Sequence, residues 1–102
     1  MELADVVPIV DFSNETLLAL AERLENAHTF QELIIREVEL DEVYRRVDSA
    51  ASYAQQEGDP ACIESLQQVR TLVSEAHDLA AGGQALEAAK RLRAAMSLEP
   101  RS

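Results

Sequence analysis

The sequence predicts an all-α protein, a single domain of four antiparallel helices preceded by an extended arm. Apolar residues recur at three- and four-residue intervals through most of the chain, the spacing that lines one face of a helix. Only three glycines and three prolines interrupt 102 residues, and most of them fall between the periodic segments. The commonest residues, alanine, leucine and glutamate, are those that lose least on entering a helix. At 47% apolar, a chain of this length suits one domain burying roughly two-thirds of its unfolded surface.

Each element has its own local reason. Residues 1–12 contain Val6, Val7, Ile9 and Val10 around Pro8, which is unsuited to a helix interior, so this arm is expected to be extended. It packs on its own core, exchanges between subunits or lies in a partner groove. Ser13 is a good N-cap, with Phe12 and Leu17 placed as a hydrophobic staple, and a first helix is expected over 14–27 facing inward through Leu17, Leu20, Ala21 and Leu24. Thr29-x-x-Glu32 is a capping box and opens a long helix over 30–56. Leu33, Leu40, Val47 and Ala54 recur in it every seven residues, joined by Ile34, Val43, Tyr44, Ala50 and Ala51. Ile35 and Val38 point off this stripe and form a second apolar patch, and the alternation over residues 36–40 allows a break. Gly58-Asp59-Pro60 supplies a terminating glycine, an N-cap and a proline at the first helical position. A third helix follows over 60–81, inward-facing through Ile63, Leu66, Val69, Val73, Ala76 and Ala80. After Gly82-Gly83, a fourth helix over 84–98 carries Leu86, Ala89, Leu92, Ala95 and Met96, and Pro100 prevents its continuation.

Within the last two helices, Ala76, Leu79, Gly83, Ala88, Leu92, Ala95 and Pro100 stand at positions that resemble a tetratricopeptide repeat, a helical hairpin of about 34 residues. Small residues at 76, 88 and 95 would let the two axes approach closely. Leu72 takes the family's tryptophan position, Glu75 replaces its leucine, and the tyrosine position is aliphatic. The pattern occurs once, so a repeat-like unit here must be completed by the other helices, a second copy or a partner. The resemblance implies a protein-binding role.

Charge narrows the partners. Residues 1–59 hold fourteen acidic and four basic side chains, whereas residues 60–102 hold five of each. A surface this acidic repels phosphates and anionic lipid, which argues against nucleic acid and membrane as partners and favours basic or amphipathic protein segments. One cysteine, Cys62, excludes an internal disulfide and fits a reducing compartment. The acidic start and the lack of any long apolar run make the cytoplasm the expected location. Arginine dominance among the cations with abundant alanine suggests a GC-rich bacterial genome.

Catalytic and metal-binding patterns are weak. Glu25-x-x-His28 has a di-iron spacing without the second copy such sites need. Glu75 and His77 point to different helix faces. Cys62 near a helix start has no accompanying base and is expected to be buried and inert. No phosphate loop, nucleophile elbow or zinc set is present, so no enzyme activity, cofactor or metal is expected. The candidate partner-binding residues are Tyr44, Leu86, Lys90, Arg93 and Met96, with Tyr53 as a further half-exposed anchor. Arg93 is expected either to pair with Glu37, Glu39, Asp41 or Glu42 of the long helix or to receive an acidic partner. The expected function is that of a small acidic adaptor or chaperone-like protein holding a helix or extended segment of another protein. A structural or regulatory homodimer joined through the long helix is the alternative, and a metal- or ligand-binding bundle a third.

Overall fold

A computed structural model describes residues 12–97, which form four helices: α1 (Asn14–Glu25), α2 (Phe30–Glu57), α3 (Pro60–Ala81) and α4 (Ala85–Met96). There is no strand among the described residues. Residues 1–11, which hold most of the expected arm, and 98–102, which include Pro100, lie outside them.

The local signals act where they were expected. Ser13 accepts the Thr16 amide, and Thr29 accepts that of Glu32 at 3.1 Å while its own hydroxyl donates to the Glu32 carboxylate. Asp59 accepts the Cys62 amide ahead of a helix that begins with Pro60. Two glycines take positive φ where helices stop. Gly58, at φ 76°, closes α2 with its amide on the Ala54 carbonyl. Gly83, at φ 84°, sends its amide to Ala80 while Gln84 reaches back to Leu79, the paired bonds of a Schellman motif. Two ends fall two residues short of the sequence expectation, and the end of α2 and the start of α4 each shift by one. α1 stops at Glu25 because Asn26 folds back, its side-chain amide donating to the Glu22 carbonyl. α4 ends at Met96, with Ser97 donating to Ala94. α2 runs unbroken through 33–40 and reaches Glu57, roughly 42 Å at the usual rise per residue.

Helices α2 and α3 pack along each other, α3 packs on α4, and α4 packs on α1, which touches α2 much less. As residue number rises along α2, that of its partner on α3 falls: Glu37 lies by His77, and Asp48 accepts from Arg70 at 2.8 Å. The main core joins Leu17, Leu20 and Leu24 of α1 to Leu40, Val43 and Val47 of α2, Val69 and Val73 of α3, and Leu92 of α4. A smaller cluster of Ala51, Ala54 and Leu66 lies near the α2–α3 turn, with Phe12, Ala50, Cys62 and Ile63 against it. Cys62 is therefore half-buried at the margin of this cluster rather than enclosed in the core.

The close-packed hairpin is real. Ala76, Ala88, Ala89 and Ala95 are fully buried where α3, α4 and α1 meet. Glu75, which departs from the repeat pattern, lies 3.3 Å from Arg91 on α4, so the departure places an ion pair on the rim of the hairpin. Leu86, expected on the inward stripe, is instead 64% exposed. The inward arc of α4 is centred on Leu92 and flanked by alanines, and Leu86 lies outside it.

Two residues apart on α4, positions 86 and 88 therefore respond oppositely to substitution. Ala88→Leu forces a side chain between closely spaced helices and is expected to cost about 1–3 kcal/mol. Leu86→Ala is expected to stay within about 0.5 kcal/mol. Urea unfolding followed by far-UV circular dichroism measures both.

Candidate interaction surface

Of the five residues singled out from the sequence, Leu86, Lys90 and Arg93 share the exposed face of α4, and Tyr44 and Met96 lie apart from them. Tyr44 and Met96 are half-buried and pack against the main core. Lys90 is exposed and lies 3.3 Å from Glu87 one turn earlier. Leu86 is exposed near the start of α4. Arg93 is engaged by Glu25 of α1, to which Nε and Nη2 donate at 3.0 and 2.9 Å in a two-pronged pair. Pairing with α2 is thus corrected: α4 packs on α1, and the carboxylate facing Arg93 comes from there.

Glu39, one of the acceptors expected for Arg93, is fully buried. Its Oε2 accepts from Arg23 Nη1 of α1 at 3.2 Å. Arg36 Nη1 lies 3.1 Å from Oε1, close enough for an ion pair though not aligned as a hydrogen bond. Both arginines keep contact with water, at 36% and 12% side-chain exposure, so they can hold a buried carboxylate without being buried themselves. This cluster ties α1 to α2 across their otherwise sparse contact. His77 stands between Glu37 Oε1 and Asp78 Oδ1, both 3.6 Å away, and forms charged pairs with them only when protonated. His28 is exposed in the α1–α2 connection. Among the described residues, no group of three or more His, Cys, Asp or Glu side chains is placed to hold a metal ion, and no helix is long and apolar enough to cross a membrane.

The residues that do reach solvent with large apolar side chains are, among those described, Phe30 at 75%, Val38 at 47%, Tyr53 at 62% and Leu86. Phe30, Ile34 and Val38 are spaced by four and so share one face over the first turns of α2, with Ile34 half-buried between its neighbours. The second apolar patch expected from Ile35 and Val38 is corrected accordingly. Ile35 turns inward to 5% exposure on the side that carries Glu39, and Val38 belongs with Phe30 and Ile34. The four-residue spacing is the signal for this stripe, which takes Ile34 off the heptad stripe of α2. The Glu37–His77 contact sets the start of α2 beside the end of α3, so Phe30, Val38 and Leu86 all lie toward that end of the bundle. On the outer side of α3, an open groove of about 530 Å³ is lined by Glu64, Gln67, Gln68, Thr71, Leu72 and Glu75, and the surface it exposes is more apolar than polar.

Comparison with known proteins gives no matching family model, no matching curated protein and no matching solved structure. The tetratricopeptide likeness therefore rests on the hairpin's own residues.

Charge surrounds the stripe. From Phe30 to Glu42, α2 carries Glu32, Glu37, Glu39, Asp41 and Glu42 against Arg36 alone. Arg45 and Arg46 reach back to Asp41 and Glu42 at 3.1 and 3.9 Å, pairs that are about half-exposed and contribute little.

Truncating Glu39 to alanine removes the carboxylate that pairs with two arginines and is expected to cost about 2 kcal/mol in urea unfolding at neutral pH. Glu39→Gln, which keeps an acceptor of the same size, is expected to lose less. The Glu25–Arg93 pair makes a separate prediction. Hydrogen bonding from Arg93 holds the Glu25 carboxyl below its ordinary value, and Glu25 in turn raises Arg93. A carboxyl lowered on folding stabilises above its unfolded pKa and loses that contribution as pH falls through the folded one. Arg93→Gln should thus show a small stability deficit at pH 7 that closes as pH drops below the usual carboxylate range. A deficit unchanged down to the acid transition would mean the guanidinium acts through packing instead.

Proposed function

We propose that this chain is a small acidic protein-binding module, an adaptor or chaperone-like protein that holds a segment of another polypeptide. The observation carrying this reading is the Phe30–Ile34–Val38 stripe, apolar and solvent-facing on a helix whose opposite side is packed into the core. Phe30 and Val38 are exposed in series along one face, and an apolar strip rimmed by charge has the character of a contact surface. The tetratricopeptide-like hairpin supports the same class of role. A reducing compartment such as the cytoplasm suits the lone half-buried thiol of Cys62. Pairing of two copies through the heptad positions of α2 is disfavoured, because Leu40 and Val47 are fully covered and Ala54 nearly so.

The test is recovery of a partner with the tagged full-length chain, followed by reconstitution from purified components. A 1:1 complex of defined mass in sedimentation velocity is the expected result. Recovery of the chain alone, together with no phenotype on deleting its gene, would overturn the proposal. A mass that doubles with concentration in the absence of other protein would favour the homodimer.

A further inference from the structure

We infer that the Phe30–Ile34–Val38 stripe is a docking strip for a basic amphipathic helix of the partner. The inference rests on the protein-binding reading above and adds the site and the chemistry of its occupant.

Shape selects a helix. The three side chains lie along one face of α2 over about 12 Å, two helical turns. A partner helix laid alongside at a shallow crossing angle would present its own apolar residues at matching intervals. A segment added as a strand would need a sheet edge, and no strand occurs among the described residues.

Charge selects a basic occupant. Glu37, Asp41 and Glu42 flank the strip on α2, and Asp78, 81% exposed, stands beside His77 at the end of α3. Arg36, inside this segment, is paired with buried Glu39, and Arg45 and Arg46 further along lie in largely exposed pairs with Asp41 and Glu42. Lysine or arginine on a partner helix can exchange with these pairs at little cost, because exposed ion pairs are individually weak. A second copy would bring the same carboxylates face to face, and the chain carries a net charge of −10.

The test uses the full chain and two synthetic helical peptides of about 18 residues, five turns. Both carry a fluorophore and the same leucine face, one with arginine and lysine on its other face and one with glutamate. Fluorescence anisotropy measures affinity, and amide chemical shifts locate the contact. The basic peptide is expected to bind at least about tenfold tighter than the acidic one, with shifts concentrated over residues 30–42. The double variant Phe30→Ser, Val38→Ser, altered only at exposed positions and checked for an unchanged circular dichroism spectrum, should weaken binding about tenfold or more. Asp41→Lys with Glu42→Lys should narrow the preference between the peptides while leaving the apolar strip in place. Shifts centred on Leu72 or Leu86 would overturn the strip while leaving the protein-binding reading standing. Failure of both peptides at about 1 mM would also overturn it, and the reconstituted complex would then decide the broader reading. Self-association abolished by the double serine variant would assign the strip to a second copy and overturn the proposal.

Discussion

The fold depends on how closely helices can approach α4. This helix has only 12 residues, a length marginal on its own in water, so its existence rests on tertiary contact. Its buried positions are Ala88, Ala89, Leu92 and Ala95, one large side chain among three methyl groups. Small residues lower the interaxial distance and let two neighbours, α3 on one side and α1 on the other, both reach the same short helix. Through that double contact the first and last described helices are joined, and the leucines of α1 meet Leu92 and the valines of α2 and α3 in one core. Larger residues at these alanines would push α1 away and open the core at its centre.

Closing the bundle through α4 has electrostatic consequences. Since α1 lies mainly on α4 and only lightly on α2, the α1–α2 contact is held by polar groups: Arg23 reaches from α1 to Glu39, which Arg36 flanks on its own helix. At the other edge of α1, Glu25 receives both prongs of Arg93. Each pair joins helices that apolar contact alone would leave less well fixed in register. The acidic excess of the first half of the chain is thereby divided. Part of it is consumed internally at Glu25 and Glu39, while Glu37, Asp41 and Glu42 stand along the outer side of α2.

Local structure was legible in the sequence because its causes are local. Ser13, Thr29 and Asp59-Pro60 cap their helices through contacts within three residues, and Gly58 and Gly83 meet the left-handed backbone that terminates two others. The burial of Ala76, Ala88 and Ala95 also followed from spacing. What could not be read were choices between neighbours. Whether Arg93 meets α1 or α2 is decided by which helix α4 packs on, and nothing within α4 encodes that. Ile35 and Val38 illustrate the same limit: both lie off the heptad stripe, but the side that faces α1 is buried and the side that does not is exposed. Glu39 is the sharpest instance, a charged residue in an acidic run that becomes fully buried because two arginines converge on it from different helices.

This division between buried and displayed charge bears on the proposed role. A stripe containing an exposed phenylalanine would ordinarily invite self-association, and carboxylates beside it act as gatekeepers against like copies. The same carboxylates are complementary to a basic helix, so one arrangement both keeps the free protein apart from itself and biases it toward one class of partner. Rigidity helps in the same direction. The opposite face of α2 is locked by Leu40, Val43 and Val47 in the core, and the helix start is fixed by the Thr29 cap. The strip is therefore presented already in its helical form, and a partner would pay the ordering entropy of its own segment without having to order this one. That asymmetry favours a ligand able to fold on contact, which is the behaviour of a short amphipathic helix supplied in trans.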